Sequence, residues 1–313
     1  MTGRVIHTGQ AVVDLVMNVP AMPHAGEDVF ATSHEFTPGG GFNVMAAASR
    51  DGAAVVYPGG HGTGRFGELV RHAMAAEGVA VTQPVTGGMD TGFSVAIVDA
   101  SAERTFVSTL GAEQFLSRAD LDGTDPRDGD VVSVSGYSLY HAGNAEVILD
   151  WVGSLPDGVA VVVDPSPMID DIPIARLHRA IDHATVWTTN EAEARLLAAR
   201  LGLRETSELA VLCRSIAVAT GVTVILRANR RGAYVSAATG EIVQVAPFPV
   251  DAVDTNGAGD AHTGVLCAGL AQGRELVDSV RRANAAAAIA VTRRGPATSP
   301  TRAEIDALVG RRS

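Results

Sequence analysis

Aromatic residues make up only 4% of this 313-residue chain, and cysteine occurs twice. Cys213 and Cys267 sit in helical patterns without metal-ligand spacing, so they read as two small buried hydrophobes in a reducing compartment. No apolar run is long enough to cross a membrane, although 46% of residues are hydrophobic. The formal charge is −11, and no basic stripe offers a footprint for nucleic acid. The opening Met-Thr-Gly-Arg leads straight into a strand pattern with no charged-then-apolar leader, which gives a cytoplasmic expectation. No internal repeat, low-complexity tract or linker divides the chain. Its length suits one large α/β domain or two smaller ones. With so few cations, any phosphate site must be built locally, from backbone N–H groups, a metal and a few positive side chains.

What is present is an alternation of Val/Ile-rich runs with Ala-rich helical stretches. Strands are predicted at 4–9, 10–19, 53–58, 131–135, 159–164, 186–189, 222–226 and 233–236, with an extended run at 242–250. Helices are predicted at 44–50, 68–77, 145–154, 174–184, 261–270, 279–291 and 302–309. This rhythm argues for an α/β fold, a mostly parallel sheet with helices on both faces. Sites in such sheets lie beyond the carboxyl ends of the strands, where Asp164 and Asn190 stand. The runs 91–99 and 104–110 read as a hairpin turning at 99–103, with Arg104 most simply a solvated cation and otherwise a functional one. Together with exposed strands near 12–18 and 28–37, the hairpin makes a small separate sheet whose edge suits dimer contacts. The charged, turn-rich 117–129 reads as a surface helix or loop.

The chemistry concentrates in Val253-Asp-Thr-Asn-Gly-Ala-Gly-Asp-Ala-His-Thr-Gly264. A glycine turn at a helix start leaves backbone N–H groups and the helix dipole aimed at an anion. A carboxylate there, Asp260, is out of place beside a passively bound anion and makes sense where a hydroxyl is deprotonated next to a phosphoryl group. Asp14, alone in an apolar run, is a turn residue or a ligand contact. Gly39, Gly40 and Gly41 allow close approach of a ligand to the backbone, and Asn43 follows as a helix cap or a ligand contact. Asn190 and Glu193 share one face of a helix start, as a cap or as a polar pair. The G-x-G-x-x-G at 62–67 lacks both the tight turn and the downstream acid that a dinucleotide fingerprint needs.

Asp-Thr-Asn-Gly-Ala-Gly-Asp closely resembles the Asp-Thr-x-Gly-Ala-Gly-Asp signature of the PfkB/ribokinase family of carbohydrate kinases. The glycine run with Asn43, the Asn-x-x-Glu of Asn190 and Glu193, and the loop ending in Gly232 follow in the same motif order. The resemblance implies one kinase domain over 1–313, a ribokinase-like three-layer α/β/α core, and a β-sheet lid formed by about 12–38 and 91–112. It implies transfer from ATP to a primary hydroxyl of a sugar or polyol, with Asp260 as base and Gly257, Ala258 and Gly259 as anion hole. Asp14, Gly39, Gly40, Gly41 and Asn43 then hold the sugar. Asn190, Arg227, Asn229, Gly232, Gly259 and Asn284 then hold the nucleotide, and Glu193 reaches Mg²⁺ through water. A K⁺ site, mostly of carbonyls, maps onto Asp254, Asn256, Ala290, Arg293, Gly295 and Ser299. Pro38 and Asn229 replace family glycines, and the family's loop Asp is missing from 62–67. A nucleoside kinase with Phe42 or Phe106 stacking on a base, or a sensor without turnover, are the alternatives on the same fold.

Overall fold

The computed structural model describes residues 2–101 and 104–311. Among them the strands are β1 (Arg4–His7), β2 (Ala11–Asn18), β3 (Ser33–Gly40), β4 (Ala54–Tyr57), β5 (Ala80–Val81), β6 (Phe93–Val98) and β7 (Arg104–Ser108). β8 (Val131–Ser135), β9 (Ala160–Asp164), β10 (Val186–Asn190), β11 (Thr223–Arg227), β12 (Ala233–Ser236) and β13 (Ile242–Val245) follow. Nine of them form the main sheet, in the order β13-β12-β11-β10-β9-β8-β1-β4-β5. From β11 to β5 every pairing is parallel; only β12 is reversed, pairing antiparallel with both β11 and β13. Parallel strands covered on both faces need apolar residues at successive positions, which Val-Val-Ser-Val and Ala-Val-Val-Val supply. Neighbouring residues therefore enter opposite cores: Val5 and Val55 on one side of the sheet, Ile6 and Val56 on the other. The result is the expected three-layer α/β architecture.

A second sheet, β3-β2-β6-β7, stands apart from the first. β2 pairs antiparallel with β3 and parallel with β6, and β6 pairs antiparallel with β7. The turn expected over 99–103 includes Ala102 and Glu103, which lie outside the described residues.

Two helices carry the site. Gly41–Arg50 and Ala258–Ala271 are rich in Ala and Gly, so their backbones approach closely. A side chain at Gly264 would collide with the Val44 carbonyl and the Ala47 methyl, and one at Gly269 would collide with Ser279 of the helix Leu276–Ala290. Small residues thus fix the spacing between the helix holding Asn43 and the helix holding Asp260.

Several boundaries differ from the predicted ones. The strand predicted at 28–37 begins only at Ser33 and takes in the glycine run, so Gly39 pairs with Val12 and Gly40 with Ala11. The extended run at 242–250 is a strand only to Val245. The helix after the glycine turn starts at Ala258, so Ala258, Gly259 and Asp260 are its first three residues rather than a loop before it.

Candidate active site

Gly257 opens the helix Ala258–Ala271 with φ 72°, a conformation that favours glycine, and a Cβ there would run into the Pro296 carbonyl. No side chain caps this helix start. Asp260, in the first turn, points its Oδ2 at Asn43, whose Nδ2 donates across 3.0 Å. Burial pushes the Asp260 carboxyl up to about 6; the Asn43 bond opposes this, Asp164 adds to it and Arg227 opposes it. The carboxyl is thus a stronger base than an exposed aspartate, yet one that is still ionised at neutral pH. Asp14 on β2 is likewise pushed up to about 6, by burial first and then by the Asp260 charge. The two carboxylates therefore sense one another. A Cβ at Gly39 would overlap the Asp14 carboxylate, which is why a glycine faces it.

Beside them lies a partly buried charge cluster at the carboxyl edge of the main sheet. Arg227, the last residue of β11, donates through Nη1 to Asp164 Oδ2 at 2.7 Å and Thr263 Oγ1 at 3.0 Å. Its Nη2 lies 3.3 Å from Glu193 Oε2. Thr263 in turn donates to Asp164 Oδ2 at 2.8 Å. The guanidinium holds Asp164 below the usual carboxylate range against the pull of burial, whereas burial and the Asp164 charge raise Glu193. A Cβ on Gly259 would lie 3.9 Å from this guanidinium, so Arg227 sits next to the glycine turn.

The other predicted residues divide. Gly40, φ 59°, caps the helix Gly41–Arg50, so Asn43 is its third residue and not the cap; the Asn43 amide is spent on Asp260 instead. A Cβ on Gly41 would press on His7 Nε2. Asn190 and Glu193 form a reciprocal capping box, Asn190 Oδ1 accepting the Glu193 N–H at 2.9 Å and Glu193 Oε2 accepting the Asn190 N–H at 2.8 Å. Asn190 and Asn229 nonetheless line one cleft of about 470 Å³ with Glu191, Ala192 and Arg195. Asn229 takes φ 51° and Gly232 φ 80°, so asparagine does adopt the left-handed geometry of the glycine it replaces. Asn284 is buried and turns its amide to the carbonyls of Val245 and Ala246, at 3.3 and 3.2 Å. At the loop 62–67, Asp90 occupies the start of the helix Arg65–Ala76, where a dinucleotide phosphate would sit, accepting from the N–H groups of Phe66 and Gly67 at 3.1 and 2.8 Å.

Around the expected K⁺ position the Asp254 carboxylate is fully engaged, whereas the Ser299 hydroxyl is not. The Asp254 carboxylate accepts the Asn256 N–H at 2.9 Å and the Gly295 N–H at 3.1 Å, and meets Arg104 Nη2 at 2.5 Å. Arg104 is thus paired and only 24% exposed, a correction to the simpler of its two readings, the solvated cation. The Thr298 hydroxyl lies 3.2 Å from the Ala290 carbonyl and 3.3 Å from that of Gly295. Arg293 bonds the Thr298 carbonyl at 3.2 Å and pairs with Glu304. The Ser299 hydroxyl is buried without a hydrogen-bond partner. Among the described residues no group of three or more His, Cys, Asp or Glu side chains is arranged to hold a metal.

Three residues at the site were not legible beforehand as functional. His7 ends β1 below Gly41, with Nδ1 3.1 Å from Ser133 Oγ, Nε2 unpartnered, and its pKa lowered to about 4 by burial. Tyr137, just after β8, has its phenol raised by burial and by the nearby charges of Asp260 and Asp14. Thr263 completes the Arg227 network. Their position beyond strand ends was the available signal for His7 and Tyr137; Thr263, one helical turn after Asp260, carried none.

A model of the "pfkB family carbohydrate kinase" matches residues 3–303. The Escherichia coli K12 protein named uncharacterized sugar kinase YegV is 33% identical over 96% of this chain and 92% of its own length. The ribokinase of Thermotoga maritima superposes with a TM-score of 0.83 at 22% identity, covering 99% of this chain and 100% of that one. The Arabidopsis thaliana ribokinase solved with ribose and ATP superposes at 0.79 with 21% identity, covering 99% of each chain. With a family match along nearly its whole length and a relative one-third identical over almost all of it, the protein belongs to the pfkB family of carbohydrate kinases.

Proposed function

We propose that this carbohydrate kinase transfers the γ-phosphoryl group of ATP to a primary hydroxyl of a sugar or related polyol, with Asp260 as general base. One observation carries the reading: Asp260, in the first turn of an uncapped helix, is held by Asn43 and senses Asp14, while Arg227 flanks the glycine turn. Asp14 and the backbone at Gly39, Gly40 and Gly41 hold and orient the sugar hydroxyls. Asp260 takes the proton as the hydroxyl attacks in line; a pKa of about 6 leaves it ionised at neutral pH yet basic enough to accept. The N–H groups of Gly257, Ala258 and Gly259 receive charge on the transferring group, a contribution on the order of 2.7–4 kcal/mol in comparable donor sets. The chain contains no lysine, so every side-chain cation near the phosphates other than histidine is a guanidinium, and Arg227 is the best placed. Four acidic residues, Asp14, Asp164, Glu193 and Asp260, share this region with one buried arginine, an excess of negative charge that suits a metal-complexed nucleotide. Mg²⁺ near Asn190 and Glu193 supplies charge neutralisation on the phosphate oxygens when bound. The cleft beside Asn190 and Asn229 takes the nucleotide. The small sheet serves as a lid that excludes water, since phosphoryl transfer depends chiefly on positioning and charge stabilisation.

Phe42, one of the two aromatics considered for a nucleobase, is 3% exposed in the core and is removed from that role. Phe106 remains, 53% exposed and in register with Val16 and Ala96 on the Asp14 face of the small sheet. It keeps a nucleoside acceptor as a second reading. ADP release measured with pentoses, hexoses, ketoses and nucleosides tests both. Acceptor-dependent release with a sugar supports the proposal; release with nucleosides alone moves the assignment to the second reading; ADP release from no acceptor would falsify the transfer.

A further inference from the structure

Arg104 begins β7, on the outer edge of the small sheet, yet its charge is not spent in solvent. The register places it opposite Val98, which is opposite Asn18, four residues along β2 from Asp14. Side chains two or four residues apart on a strand share a face, so Arg104 points from the sheet toward the same cleft as Asp14. There its Nη2 meets Asp254 Oδ1 at 2.5 Å, both groups largely buried at 24% and 16% exposure. Asp254 is the first residue of the turn that ends in Gly257, Ala258 and Gly259. Its carboxylate is therefore held at once by its own turn, through the Asn256 N–H, by the loop after the helix Leu276–Ala290, through the Gly295 N–H, and by the small sheet. These contacts keep Asp254 below the usual carboxylate range despite burial.

We propose that Arg104 is a positioning residue that acts through Asp254: the side chain supplies, from the small sheet, the positive charge that fixes the glycine turn, and so replaces a bound monovalent cation. Apart from the Ser299 hydroxyl, which is buried without a partner, the residues present fit the K⁺ expected at this loop poorly. The Asp254 carboxylate already carries three donors, one of them a full positive charge, and the Thr298 hydroxyl lies against the carbonyls of Ala290 and Gly295. A second cation beside Arg104 would meet like-charge repulsion in a partly buried site. The consequence is mechanical. Movement of the small sheet over the sugar loads or releases the turn that binds the transferring phosphoryl group, so acceptor binding and the geometry of transfer are coupled through one ion pair.

The inference rests on the kinase reading for its consequence in turnover but not for its structural test. Hydrogen exchange of the substrate-free full chain is measured over 254–259, in tetramethylammonium chloride and in KCl, for the parent, Arg104→Lys and Arg104→Ala. The parent should be equally protected in both salts. Arg104→Ala should exchange about tenfold faster in that segment while β8 to β11 stay protected, Arg104→Lys should recover much of the protection, and KCl should restore part of it in Arg104→Ala. Should Arg104→Ala loosen the central sheet as well, Arg104→Met, which keeps the stem, decides in its place. In turnover, Arg104→Ala should lose about 10²-fold in kcat with the ATP KM little changed, and the parent should be indifferent to K⁺. A parent protected or active only in K⁺, or an Arg104→Ala chain with parental exchange at 254–259, overturns the proposal. A parent that releases no ADP with any acceptor overturns the kinase reading alone, because the exchange result still decides the role of Arg104.

Discussion

Asn43 donates its side-chain amide to Asp260 across 3.0 Å, although 217 residues separate the two. The bond depends on the close approach of two small-residue helices, which the collision of any side chain at Gly264 with the Val44 carbonyl and Ala47 enforces. It orients the carboxylate, and it works against the burial that raises the Asp260 pKa.

Asp260→Asn removes the proposed base while keeping shape. Phosphoryl transfer should fall by about 10²–10⁴-fold, the usual share of general-base catalysis, with ATP affinity by calorimetry within a few-fold of the parent. The same variant should be more stable at neutral pH. The carboxyl titrates near 6 in the fold, above about 3.9 in an unfolded chain, so the native state binds the extra proton and loses stability as pH rises from about 4 to about 6. The gain in melting temperature should be present above pH 6 and fade by pH 4; equal melting temperatures at both ends would contradict the burial of this group.

Asn43→Ala should shift the pH profile as well as the rate. Parental kcat/KM should fall on the acid side with an apparent pKa near 6, the value to which burial raises Asp260 and, separately, Asp14. Without the amide, the acid limb should move upward. An unmoved limb with a lowered plateau would mean that Asn43 orients the carboxylate without tuning it.

Gly39→Ala puts a methyl group where the Asp14 carboxylate now lies. Asp14 must turn away, so the acceptor KM should rise about tenfold or more while the ATP KM holds. Parental kinetics for both substrates would remove Asp14 from the acceptor site.

Asp90→Ala uncovers the start of the helix Arg65–Ala76, leaving the N–H groups of Phe66 and Gly67 without their carboxylate. Loss of such a cap costs about 0.5–2 kcal/mol, read as a lowered urea midpoint. Turnover per folded molecule should be unchanged, since this helix start serves the fold and not a phosphate.

The glycine turn, the order of the motifs and the strand–helix rhythm were legible because each rests on local chemistry. Glycine at 257 answers a positive φ, and Val-rich runs answer burial on both faces of a sheet. Helix starts were less legible, because the same residues cap a helix and contact a ligand. Asn43 was read as a possible cap and is a partner of Asp260, whereas Asn190 and Glu193 close a capping box beside the cleft. The cap of the helix after the 62–67 loop could not be found nearby, since Asp90 reaches it from a later segment.

The sequence by itself determined the α/β class, the kinase family, and the placement of Asp260 at a glycine-opened helix, because these follow from short-range pattern and spacing. The tertiary structure decided the rest: the pairing of Asn43 with Asp260, the burial that lifts Asp14 and Asp260 to about 6, the enclosure of Arg227 by Asp164 and Glu193, and the reach of Arg104 to Asp254. Electrostatic strength depends on distance and on exclusion of water, and neither is set until remote segments pack together.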